Sequence, residues 1–100
     1  MQINTNTDGP VVTVSVDGEL DAHNCSQLGA AIRTAVADNA RTVIIDASSL
    51  RFIDSSAISE LLRAREEVAG LGGELTIRDV APSVRRVLEI TGLEETFGVS

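Results

Sequence analysis

The chain has no tryptophan, no tyrosine and no lysine, and its 100 residues include one cysteine, one histidine and two prolines. Each scarcity closes off a class of function. Two phenylalanines are the only aromatics, too few for a platform on which nucleobases stack. Cys25 stands alone, so it forms no intramolecular disulfide and belongs to no Cys-x-x-Cys or zinc-type spacing. No metal or cofactor is expected. No apolar run has the length of a membrane span or a signal-peptide core, and a soluble cytoplasmic domain is the expected setting. Eight basic residues, all arginine, face fifteen acids, for a formal charge of −7. Such a surface repels phosphate backbones and anionic headgroups, which points away from direct nucleic-acid or membrane binding and toward a protein partner.

What the chain does have is aliphatic. Hydrophobic residues make up 43% of it, nearly all Val, Ile, Leu and Ala. One hundred residues suffice for one domain, residues 1–100, with a single core and no room for a separate catalytic lobe. Gln2 to about Thr5 reads as a weak strand, Asp8-Gly9-Pro10 as a turn, and Val11–Val16 as a stronger strand with Val12, Val14 and Val16 on one face. After the loop Asp17–Ala22, the residues Cys25, Leu28, Ile32, Ala35 and Val36 recur at helical spacing. His23 reads as solvent-facing before that helix and Cys25 as a core thiol. Thr42–Ile45 is a β-branched run of the kind found in strands buried on both faces. Asp46 to Ile53 reads as a loop.

A second helix follows, with Ile58, Leu61, Leu62, Val68 and Ala69 directed inward and Gly70, Gly72 and Gly73 ending it. Glu74–Arg78 alternates as a strand, and Pro82 opens a third helix that stops at Gly92. Leu93, Phe97 and Val99 are expected to pack back on the core. The order strand, strand, helix, strand, helix, strand, helix predicts a mixed four-stranded α/β sheet with helices mainly on one face.

The stretch that carries chemistry is Phe52-Ile53-Asp54-Ser55-Ser56-Ala57-Ile58. Asp54 has the side chain of an N-cap, Ile53 and Ile58 are spaced as a hydrophobic staple, and Ser55 and Ser56 then fall in the first helical turn. A phosphate there meets free N–H groups and the positive end of the helix dipole. The loop holding Asp21 and His23 is expected beside it, since loops at the carboxyl ends of neighbouring strands converge. Three readings follow. Ser55 can be a phosphoacceptor for a separate kinase, the chain itself having no glycine-rich ATP loop. It can be a nucleophile with His23 as base and Asp21 as orienter, although Gly-x-Ser-x-Gly is missing and Asp54 opposes an oxyanion. Or Asp54 simply caps a helix and both serines are small polar surface residues.

Asp54-Ser55-Ser56, with Asp46 before it and an amphipathic helix after, resembles the phosphorylation motif of STAS-domain anti-sigma factor antagonists. Gly18-Glu19-Leu20-Asp21, Val43-Ile44-Ile45-Asp46, Val84–Leu88 and Thr91-Gly92-Leu93 extend the likeness along most of the chain. The resemblance implies an unphosphorylated form that binds an anti-sigma factor with serine kinase activity and frees a sigma factor. It implies modification at Ser55, with Ser56 as fallback, reversal by a phosphatase, and no catalysis by the chain itself. The partner surface it implies comprises Asp21, Asp54, Ser55, Ser56, Ala57 and Ile58, with Arg51 at the rim. Ala57 stands where the family usually has glycine, which implies a stiffer first turn and a methyl in the path of an approaching kinase. A non-switching STAS subunit of a transporter complex is the alternative.

Overall fold

The alternation of Val12, Val14 and Val16 decides which way the central strand faces, and the rest of the sheet follows its rows. In the computed structural model, which describes residues 1–99, strand β1 (Gln2–Asp8) pairs antiparallel with β2 (Val11–Leu20). Strand β3 (Thr42–Asp46) runs parallel to β2, and β5 (Glu74–Arg78) parallel to β3. The register aligns Val12, Val43 and Leu75 in one row and Val14, Ile45 and Ile77 in the next. All six are buried, so one face of the sheet is a continuous aliphatic floor. The other face carries Thr13, Ser15, Thr42, Ile44 and Thr76, which are only half-buried. Strand β3 is therefore covered on one side only, and the β-branched run that predicted two buried faces reflects strand propensity more than burial.

The sheet has five strands where the sequence pattern predicts four. Residues read as part of a loop form β4 (Leu50–Ile53), parallel to the end of β2 with Gly18 opposite Leu50 and Leu20 opposite Ile53. Strand β2 is long enough to serve two partners in succession, β3 along Val11–Ser15 and β4 along Gly18–Leu20. The register shifts between Gly18 and Glu19, and Gly18, at φ 105°, makes that irregularity possible. Strand β4 buries Leu50 and Ile53 but exposes both Arg51 and Phe52, so it shows no period of two.

Three helices pack on this sheet: α1 (Cys25–Ala37), α2 (Ser55–Gly70) and α3 (Pro82–Thr91). Helix α2 buries Ala57, Ile58, Leu61, Ala64 and Val68, a stripe at helical spacing; Ala64 takes an inward place, while Ala69 is exposed. Fully burying Ile58, Leu61 and Val68 contributes roughly 5–9 kcal/mol of transfer free energy before entropy is counted. Packing thus fixes the helix, and its capping residues only set where it begins. Helix α3 has Pro82 in its first turn and ends in a left-handed Gly92, with the Leu93 amide bonded to the Leu88 carbonyl at 2.9 Å. Beyond it Phe97 is fully buried, and its carbonyl accepts the Ile77 amide at 3.0 Å, covering β5's free edge.

Helices α1 and α2 are clipped together by Arg33. Its guanidinium donates to Glu67 Oε2 at 2.8 Å and to Glu60 Oε1 at 2.9 Å, and Arg63 reaches Glu60 at 3.4 Å. The hydrogen bond from Arg33 holds the Glu67 carboxyl below its ordinary range, and the same bond raises Arg33. Gly29 makes room for this clip. A β-carbon there would overlap Glu60 Oε1 and lie 2.7 Å from Arg33 Nη1. Alanine improves helix propensity by about 1 kcal/mol, while the atoms it meets are the far ends of two flexible side chains, which can swing aside at the cost of part of a partly exposed ion pair, about 0.2–1 kcal/mol. Gly29→Ala is therefore expected to leave stability within about 1 kcal/mol of the parent in equilibrium urea unfolding. A loss of more than about 2 kcal/mol would mean that the clip cannot shift to make room.

Candidate functional site

The start of α2 and the loop after β2 are tied together by one carboxylate. Asp54, in extended conformation at φ −105° and ψ 178°, is the N-cap of α2. Its Oδ1 accepts the Ala57 amide at 2.9 Å, as the sequence predicts for a capping aspartate. Its Oδ2 does something the sequence does not announce: it accepts the Ala22 amide, 32 residues away, at 3.1 Å. A third link, from the Asp54 amide to the Leu20 carbonyl at 3.2 Å, extends the β2–β4 pairing by one step. Asp21 and Asp54 thus leave adjacent strands side by side, and the expected convergence of the two segments is what the structure shows, although Asp54 follows β4 and not β3.

The loop has its own bracing. Asp21 Oδ1 accepts the His23 amide at 3.0 Å, the Asp21 amide donates to Asn24 Oδ1 at 2.9 Å, and the Asn24 side-chain amide donates to the Glu19 carbonyl at 2.9 Å. The Cys25 amide closes onto the Asp21 carbonyl at 2.8 Å. Asp21 is consequently a loop-forming residue whose carboxylate is still part-exposed at the rim. Asn24 is a bracing residue that the sequence pattern does not reveal: it stands at the N-cap position of α1, but its side chain holds the loop and makes no bond to the helix start.

Ser55 and Ser56 are both exposed on the first turn of α2. The first intrahelical bond is made by the Ile58 amide to the Asp54 carbonyl at 3.0 Å, and the amides of the two serines precede it. They point out of the helix start, where a new anion is welcome. Ala57 and Ile58 do not share this surface. Ala57 is 0% exposed and Ile58 8%, and both belong to the core beneath the corner. The sequence stretch is continuous, but 100° of turn per residue sends its third and fourth helical positions inward. Their side chains hold the corner in place and offer no contact area. It follows that the Ala57 methyl does not stand in the way of an approaching enzyme, and only the stiffer first turn remains as a consequence of having alanine there.

As a hydrolytic triad the cluster is poorly built. The His23 side chain is 95% exposed, with Nδ1 4.0 Å from an Asp21 oxygen that already accepts the His23 amide. An imidazole so free is not a held general base. Cys25, part-buried, packs against the core, and Asp46 accepts the Ser48 amide at 3.0 Å in a turn of its own. Arg85 pairs with Glu94 at 3.2 Å. Among the described residues no group of three or more His, Cys, Asp or Glu is arranged to hold a metal, and no helix is long and apolar enough to cross a membrane.

A small α/β domain that presents an exposed hydroxyl at a capped helix start, braced from a neighbouring loop, has the form of a presentation scaffold. The chain belongs to the STAS domain family, whose model matches residues 2–100. Among curated relatives, the anti-sigma-F factor antagonist RsfB of Mycobacterium tuberculosis is 31% identical over 87 residues, covering 87% of this chain and 70% of that protein. Among solved structures, an anti-sigma factor antagonist from Mycobacterium paratuberculosis superposes with a TM-score of 0.85 at 30% identity, over 98% of this chain and 83% of the other. The Bacillus cell fate determinant SpoIIAA, in its phosphorylated form, superposes with a TM-score of 0.77 at 27% identity, over 99% of this chain and 89% of that one.

Proposed function

We propose that this chain is an anti-sigma factor antagonist that works by partner switching, with Ser55 as the switch. The observation that carries the reading is the exposed Ser55 hydroxyl on a helix start held by Asp54 and floored by buried Ala57 and Ile58. Its support from outside is that relatives matched over 70% or more of their own length bear that name, and that the fold is shared with a protein solved in a phosphorylated form.

Unphosphorylated, the chain docks the corner around Asp21, Asp54, Ser55 and Ser56 on an anti-sigma factor that is also a serine kinase, and a sigma factor is released. In the kinase, Ser55 Oγ attacks the γ-phosphorus of ATP, ADP leaves, and the hydroxyl proton passes to the kinase's base. Nucleotide, magnesium and base all belong to the kinase; the substrate supplies a hydroxyl on a rigid turn. The product carries about −1.5 to −2 charges beside Asp54 and Asp21. A phosphatase returns the serine by hydrolysis with water. Ser56, equally exposed but one position further round the turn, is the fallback acceptor.

The test is incubation of the chain with candidate kinase-type anti-sigma factors and ATP, followed by phosphopeptide mapping. Stoichiometric label on Ser55, lost in Ser55→Ala, is the expected result. Absence of label on either serine, together with recovery of membrane transport components in a pull-down, would replace the switch with the reading of a non-switching transporter subunit.

A further inference from the structure

The chain has only two aromatic residues, and it treats them oppositely. Phe97 is fully buried, whereas Phe52 is 49% exposed on β4, two residues before the cap of the switch helix. Leaving half of the largest side chain type in the sequence in water forgoes much of what its burial would contribute, and packing does not require it there, since Leu50 and Ile53 alone seat β4 on the core. We infer that Phe52 is the apolar anchor of the partner interface, inserting into a pocket bordered by lysine or arginine on the anti-sigma factor kinase. The inference rests on the function proposed above and names a contact that function does not specify.

Position supports it. Phe52 lies opposite Glu19 in the β2–β4 register, two positions before Asp54 and with the Leu20–Ile53 row between. Two strand residues span about 7 Å, so Phe52 sits roughly that far from Asp54 along the chain and a little further from Ser55. A partner covering about 800 Å² of this surface covers a disc of roughly 16 Å radius. An interface centred on Ser55 reaches Phe52 where it extends from the helix start onto the outer side of β4. Leu71, another exposed apolar side chain, lies past the far end of α2. A helix of that length, 16 residues, is about 24 Å long, which places Leu71 outside the same disc.

Charge defines the occupant. Asp17 and Glu19 are exposed on β2, Asp21 is part-exposed where that strand ends, and Arg51 is the neighbouring cation beside Phe52. Phe52 has the β2 carboxylates on one side and Arg51, with Arg86 of the adjoining α3, on the other; on a chain of net charge −7 it fits an apolar pocket whose rim is mainly basic, and the carboxylates steer that approach. It fits a second copy of this acidic chain badly.

The measurement is titration of the purified anti-sigma factor kinase that captures the wild-type chain with wild type, Phe52→Ala and Leu71→Ala, alongside thermal melts. Phe52→Ala is expected to bind at least tenfold more weakly with a melting temperature lowered by no more than about 8 °C, the share of the half of the ring that is buried, and Leu71→Ala to stay within twofold of wild type. If Phe52→Ala does not fold, Phe52→Gln is held to the same criterion. Phe52 variants within twofold of wild type, while Ser55→Glu still loses binding, would overturn the anchor and leave the switch intact. A wild-type chain that captures no anti-sigma factor would remove both.

Discussion

Phosphorylated at Ser55, the chain is expected to bind its anti-sigma factor at least a hundredfold more weakly than the unphosphorylated form, at a nearly unchanged melting temperature. The two halves of that statement have different physical origins. Affinity falls because the new dianion must be desolvated on docking and lies next to Asp54 and Asp21. A hundredfold corresponds to about 2.7 kcal/mol, which one uncompensated buried charge supplies. Stability holds because the phosphate arrives at a helix start, where it gains about 0.3–1 kcal/mol from the dipole. The helix itself is retained by Ile58, Leu61 and Val68, whose burial is several times larger than any effect at the surface. Ser55→Ala should bind as wild type, and Ser55→Glu, with one charge in place of two, should fall between. Isothermal titration of the three proteins settles the point: equal affinities would remove charge as the switch.

How much of this was legible beforehand depended on whether a local period was present. The rows Val12–Val43–Leu75 and Val14–Ile45–Ile77 appear in the sequence as alternation or as β-branched runs, and those rows are found, although β2 runs on through Asp17–Leu20, which reads as loop because Asp17, Gly18 and Glu19 are weak strand formers. Strand β4 was not legible, because Leu50 and Ile53 are buried while Arg51 and Phe52 between them are not. Such a pattern is neither period two nor period 3.6, and only its pairing with β2 makes it a strand. At the site, the cap and the exposed serines followed from the Asp-Ser-Ser string. Ile58 faces inward as its helical spacing predicts, and Ala57 is buried beside it, so the place that the resemblance gives these two on the partner surface does not match their burial. The bond from Ala22 to Asp54 had no sequence signal at all, as it joins a backbone amide to a side chain across 32 positions.

That long-range bond makes Asp54 the residue whose two oxygens can be tested apart. Asp54→Ala loses the cap to Ala57, which costs about 1–2 kcal/mol, and the tie to Ala22, which costs about 0.5 kcal/mol more because that amide is exposed and water replaces the lost acceptor. The sum, about 2 kcal/mol, lowers the melting temperature by roughly 8–16 °C for a domain of this size. Asp54→Asn separates the terms. Its carbonyl oxygen still caps Ala57, so stability stays within about 1 kcal/mol, but its amino group faces the Ala22 amide and cannot accept from it. Hydrogen exchange at Ala22 should then be faster while exchange along α2 is unchanged. If Ala22 remains equally protected in Asp54→Asn, the loop is held by Asn24 and the Asp21 turn alone, and the carboxylate is only a cap. If instead exchange rises there and partner affinity falls without any loss of helix stability, the loop bearing Asp21 is part of the docking face, and Asp54 aligns it with Ser55.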